Sequence, residues 1–274
     1  MDELTRHIQT EVPWCMLFAD DIVLVDETRS GLNDKLELWR STLESRSFRL
    51  SRSKTEYMEC SFSGQSGINP IEINLGGEKV PKMDHFRYLG SVLQNNGGLE
   101  KDINHRIQAG WMKWRSASGI LCDRNMPLRL KGKFYKTAVR PTLLYGSECW
   151  AIKKQDEQKM SVAEMRMLRW MCGKSRKDKI RNDAIRARLG VASIDDKMRE
   201  CRLRLFGHIR RRPVSAPVRK CESVEVGGQR KGRGRPLTTW VRVVERDMEI
   251  VDLDEQLTLD RSEWRRKIHV SEPT

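Results

Sequence analysis

Between positions 14 and 25 the chain is apolar, Trp14-Cys15-Met16-Leu17-Phe18-Ala19 and then Ile22-Val23-Leu24-Val25, with one polar break at Asp20-Asp21. Two short apolar runs around a polar tip predict a β-hairpin over 14–18 and 22–26. Leu32, Leu36, Trp39 (or Leu38) and Leu43 then recur at helical spacing, so a helix is expected from about 30 to 45. Further strands are expected around 55–62, 71–75 and 86–93. The breaker Asn95-Asn96-Gly97-Gly98 ends this region, and helical patterns follow. They predict helices near 99–121, 128–150 with an interruption at Pro141, 155–173, 179–189, 194–211 and 239–250. Residues 213–236, rich in Gly, Arg and Pro, read as a linker. The fold class is therefore α+β, strands first and helices after.

Charge follows the same division. Residues 1–110 carry 13 Lys+Arg against 17 Asp+Glu, and residues 111–274 carry 39 against 21. So basic a C-terminal part points to a polyanionic partner, most simply nucleic acid. No apolar stretch approaches the ~18 residues of a spanning helix, and no signal peptide opens the chain, so no membrane role and an intracellular location, nuclear or cytoplasmic, are expected. Seven cysteines at irregular spacing contain no Cys-x-x-Cys pair, and Cys201 with His208 fits two residues of a helix face better than zinc ligands. Reduced thiols are the expectation. Near position 190, Gly190 suits a helix C-terminus and Ser193-x-x-Asp196 resembles a capping box. The two helices it joins read either as plain packing or as a helix-turn-helix.

Adjacent carboxylates at the tip of a buried hairpin repel each other and lose solvation, which is costly unless a cation sits there. The alternative is an ordinary solvated turn. The block Phe18-Ala19-Asp20-Asp21 with its apolar flanks resembles the catalytic palm motif of reverse transcriptases from non-LTR retrotransposons of the plant-type long interspersed class. Ser51 to Met58 resembles the segment of that family whose lysine, here Lys54, lies near the nucleotide phosphates, although the family's preceding glycine is Ser47 here. Phe86-Arg87-Tyr88-Leu89-Gly90 resembles the primer-grip strand, with Gly90 allowing close backbone approach to the primer. Pro141 to Trp150, Arg181 to Val191, Arg204-Leu205-Phe206-Gly207-His208 and Gly232-Arg233-Gly234-Arg235-Pro236 with Trp240 resemble the region that follows the palm.

The resemblance implies a partial palm over 1–95 with a helical thumb over 96–175. A basic helical pair over 176–212, the linker 213–238 and a helical segment 239–274 complete the expected division. It implies Mg²⁺ at Asp20 and Asp21, with Asp20 in the principal role, because two-metal phosphoryl transfer holds its cations between carboxylates. RNA template with DNA primer, or duplex DNA, would be the partner. Tyr88, Leu89 and Gly90 would touch the primer, and Lys131, Lys133 and Lys136 would face nucleic acid from the thumb. Trp111 and Trp114 could stack on bases or pack in the core. Arg230 to Pro236 contains an Arg-Gly-Arg-Pro core like that of an AT-hook, in which Arg233 and Arg235 would enter a narrow A·T minor groove.

The family places its fingers and a further catalytic Asp upstream of the hairpin, whereas 19 residues precede Asp20 here and Met1 resembles an interior methionine of the palm. An incomplete two-metal site, inactive alone, is the resulting expectation. Three readings remain open: a reverse-transcriptase fragment, a nucleic-acid-binding module using the basic half, and a relic without a role.

Overall fold

A computed structural model describes residues 2–60, 71–221 and 238–273. Among the described residues the chain is mostly helical with three short two-stranded hairpins, and it divides into two compact units. One comprises the described parts of 2–87, 94–97 and 213–221; the other comprises 88–93, 98–212 and 238–273. Among the described residues no helix is long and apolar enough to cross a membrane.

The first unit begins with a short helix α1 (Asp2–Thr5) and the hairpin β1 (Cys15–Phe18) and β2 (Asp21–Leu24), in register Phe18 to Asp21 and Cys15 to Leu24. Helix α2 (Arg29–Glu44) starts where the Thr28 hydroxyl accepts the Gly31 N–H. Its apolar stripe faces two small clusters. Trp39 and Leu43 pack with Cys15, Leu17, Ile22 and Leu24 of the hairpin, while Leu32 and Leu36 pack with Ile73, Leu75 and Val80. Leu75 lies in, and Ile73 and Val80 flank, the hairpin β3 (Asn74–Leu75) and β4 (Glu78–Lys79). The expected strand at 55–62 is not formed in its described part: Tyr57 makes a single bridge to Lys82. The expected strand at 86–93 is instead a hairpin, β5 (His85–Tyr88) and β6 (Ser91–Gln94). Leu89 and Gly90 both have positive φ, 48° and 82°, the signature of a tight reversal that an apolar run conceals.

The second unit is built from α3 (Glu100–Ser116), α4 (Ser118–Leu121), α5 (Leu128–Phe134), α6 (Arg140–Leu144), α7 (Lys154–Met171), α8 (Asn182–Leu189) and α9 (Ile194–Arg210). α10 (Pro217–Lys220) belongs to the first unit, and α11 (Trp240–Ile250) with α12 (Arg261–Ile268) completes the second. The helical run expected over 128–150 with an interruption at Pro141 instead spans Leu128 to Leu144 and continues through Pro141. Lacking an N–H and crowding the carbonyl four residues back, Pro141 follows a widened turn at Tyr135–Val139. Nineteen buried side chains, among them Ile103, Trp114, Tyr135, Leu143, Met167 and Leu189, form the main core. A second cluster holds Leu203, Phe206, Val244, Trp264 and Ile268 between α9, α11 and α12. There Arg202 and Asp247, each 2% exposed, form a two-pronged ion pair at 2.6 and 3.1 Å.

α8 and α9 pack on the main core at the turn that joins them. Ile185, Leu189 and Ile194 are all in the main core. Gly190 ends α8 with φ of 63°, and the Ser193 hydroxyl caps α9 by accepting the Asp195 N–H at 3.2 Å. The capping box is not completed, because Asp196 instead pairs with Arg199 at 2.9 Å.

Candidate functional site

The first candidate is the β1–β2 tip. Its two-residue loop is Ala19-Asp20, and Ala19 takes φ of 51°, a conformation in which a Cβ crowds the backbone. Asp20 and Asp21 are exposed, and Phe18 beside them is 58% exposed. The hairpin tip is therefore solvated, and the expected cost of burying paired carboxylates does not arise. Among the described residues no cluster of three or more acidic, His or Cys side chains is placed to hold a metal ion. Two exposed carboxylates without a third ligand fall short of the donor set that two Mg²⁺ ions require.

Lys54 ends a single helical turn, Arg52–Lys54, and is exposed. The loop leading to it is ordered by Ser47, which adopts φ of 65°. Phe48 N–H reaches the Leu43 carbonyl and Ser47 N–H reaches Glu44, both at 3.0 Å, which closes the end of α2 in the manner usual for glycine. The missing glycine thus leaves the turn intact, at the expense of a strained serine.

The second candidate is the turn Tyr88-Leu89-Gly90. Its tip carbonyls are both engaged within the helical unit: Tyr145 Oη donates to the Leu89 carbonyl at 2.9 Å, and Arg106 donates to the Gly90 carbonyl. The Arg106 guanidinium lies 4.6 Å from the centre of the Tyr145 ring. Beneath them Asp102, 2% exposed, accepts from the Val92 N–H and from Trp150 Nε1, each at 3.0 Å, and lies 3.7 Å from Arg106 Nε. Asp102 thus ties the hairpin's return strand to α3 and to the segment after α6.

The three thumb lysines separate by environment. Lys131 is buried and donates to the carbonyl of Met171 at the end of α7, and Lys136 donates to that of Gly190 beyond α8. Both ammonium groups meet the negative end of a helix. Lys133 is exposed. Trp114 is in the core, edge-on to Trp111 at 5.5 Å and to the exposed Trp170 at 6.0 Å. Arg233 and Arg235, with the AT-hook-like segment, lie outside the described residues.

Over 262 residues the chain is 20% identical to a transposon-derived protein of Caenorhabditis elegans, a match spanning 90% of this chain and 92% of that one. The relationship is to transposon-derived sequence. No family model matches the chain. No solved structure matches it.

A match of that extent takes in parts of both units. Within the helical unit, Asp102, Arg106 and Tyr145 were not singled out by sequence reasoning. A signal was present: Asp102 and Arg106 sit four residues apart on the same face of α3 as Ile103 and Gly110, where a charged pair must be satisfied internally. Glu164 is a second such case. It is fully buried, accepts from Tyr135 Oη at 3.1 Å and the Ile194 N–H at 3.2 Å, and faces Arg186 at 3.4 Å. Burial outweighs these partners and pushes its carboxyl up to about 7.

Proposed function

We propose that this chain is a retrotransposon-derived nucleic-acid-binding protein, descended from the palm end and thumb of a reverse transcriptase. Polymerisation is not assigned to it as it stands. What carries this reading is the helical unit: its described residues close around a main core and a second cluster while holding 35 Lys+Arg against 21 Asp+Glu. An excess of that size on a closed domain leaves cations on its surface, and a polyanion is the partner that releases their counterions. The transposon-derived relative supports descent, and the ordered motifs at Asp20-Asp21, Lys54 and Tyr88-Leu89-Gly90 support the particular enzyme family.

RNA, single-stranded DNA and duplex DNA are the ligands to test with the purified full chain across a salt titration. Six to ten phosphate contacts would lower affinity about 10³ to 10⁵ fold between 50 and 200 mM salt. Salt-independent binding, or none at 50 mM, would defeat the proposal. With primer, template, deoxynucleotides and Mg²⁺ the same chain is expected to extend nothing. Template-dependent extension abolished by Asp20→Asn would show that the hairpin is catalytic after all.

A further inference from the structure

Arg204-Leu205-Phe206-Gly207-His208 stood out in the sequence without acquiring a role. In the structure its residues divide between two jobs. Phe206 packs in the second core cluster, with ring centres 6.2 Å from Trp264. Gly207 lets α12 approach, since a Cβ there would come within 2.4 Å of Trp264 Nε1. Arg204 and His208 lie on the same side of α9 as Gly207 and, with Trp264, line an open cavity of about 740 Å³. Arg211 joins them one turn further along α9, because positions four and seven apart share a helix face. From the opposite wall α12 contributes Arg261 and Arg265, also four apart.

Four arginines and a histidine thus line one cavity, with Glu148 the one acidic side chain among its described lining residues. Arg204 is paired with Glu200, and Arg211 donates to the Thr258 carbonyl at 2.7 Å. Among the described residues Arg261 and Arg265 form no ion pair. Like charges gathered in one recess repel: Arg204, Arg261 and Arg265 are exposed, and burial together with Arg261 holds the Arg211 guanidinium below its ordinary value. Such an arrangement is relieved by an anion. A second cavity, of about 300 Å³, shares Arg204 and Arg265 and continues past Arg266 and His269, with Glu200 as the acidic residue on its wall. The recess is therefore a strip along two helices, which suits a chain of phosphates better than one small anion.

We infer that the strip between α9 and α12, centred on Arg204, Arg211, Arg261 and Arg265, seats the phosphodiester backbone of a nucleic-acid strand. Guanidinium forks match phosphate oxygens in pairs, and contacts to phosphate carry no sequence information, so this backbone contact is indifferent to sequence. The inference rests on the proposed nucleic-acid-binding role and gives that role an address.

The test uses the full chain and fluorescently labelled oligonucleotides, comparing Arg261→Gln/Arg265→Gln with Arg166→Gln/Arg188→Gln. Both double variants remove two positive charges from exposed helical positions of the same unit. Loss of two phosphate contacts should flatten the log–log salt dependence by about 1.8 and weaken binding roughly tenfold or more in the first variant, against a few-fold loss in the second. Equal losses would overturn the strip while leaving nucleic-acid binding in place, as would wild-type affinity in the first variant. No binding by the wild-type chain at low salt would overturn both proposals. Anionic phospholipid vesicles and inorganic phosphate are the remaining arms. Vesicle binding that depends on Arg261 and Arg265 when oligonucleotide binding does not would refute the nucleic-acid assignment, as would full displacement of the oligonucleotide by low-millimolar phosphate.

Discussion

Replacing Asp102 by Asn is expected to be far from conservative. The two carboxylate oxygens accept from different donors, Val92 N–H on one side and Trp150 Nε1 on the other, in a site 2% exposed. An asparagine offers one oxygen and one NH₂, so whichever way it turns, one buried donor meets another donor. An unsatisfied buried group costs about 1–3 kcal/mol, and Arg106, itself largely buried, loses its neighbouring negative charge. A total near 3 kcal/mol follows. With a urea slope of about 2 kcal/mol/M, the midpoint should fall by about 1.5 M. The assay is urea denaturation followed by circular dichroism, with hydrogen exchange at the Val92 amide as a local readout. In a Trp150→Phe background the second donor is gone, so the same substitution should cost at least ~1 kcal/mol less, a coupling that a double-mutant cycle resolves. A midpoint within about 0.3 M of wild type, with Val92 still protected, would refute the reasoning.

Three further outcomes follow from the structure. Ser47→Gly should raise stability by about 1 kcal/mol, read as a higher denaturation midpoint, because the φ of 65° is strained for serine and open to glycine. Gly132→Ala should destabilise by about 3 kcal/mol or more, since its Cβ would lie 1.8 Å from the Leu189 carbonyl oxygen, which is backbone and cannot step aside. Glu164 keeps its proton in the folded state up to about 7, against about 4.5 when unfolded, so the stability linked to it is complete below pH 4.5 and declines as pH rises through 7. Over that interval wild type should lose about 3 kcal/mol relative to Glu164→Gln, and parallel stability profiles of the two would contradict the burial argument.

Element type was largely legible because apolar periodicity is a local property. Helix α2 was expected over 30–45 and spans Arg29–Glu44, and the 155–173 pattern became Lys154–Met171. What periodicity cannot report is where backbone reverses inside an apolar run. Phe86 to Leu93 read as one strand, and the positive φ of Leu89 and Gly90 folds it in two. Helix α12 was expected only within a helical segment over 239–274, without bounds of its own, because Trp264 and Ile268 are its two buried residues in eight, yet Asp260 caps it by accepting the Ser262 and Glu263 amides. Its arginines then complete the basic strip, a grouping that depends on how α9 and α12 pack. The Asp20-Asp21 tip was legible as a hairpin, whereas its exposure depends on which elements surround it, a long-range matter that local pattern does not encode.

Lys131, Lys133 and Lys136 stand within six residues yet meet three environments: sealed, partly covered and open. Amine-reactive footprinting of this one peptide would therefore carry its own calibration. Lys131 should stay unlabelled while the helical unit is folded and react when it opens, Lys136 should react slowly, and Lys133 should react at the rate of a free side chain. Shielding of Lys133 by an added oligonucleotide, measured against a silent Lys131, would separate occupancy of the surface from a change in folding within a single spectrum.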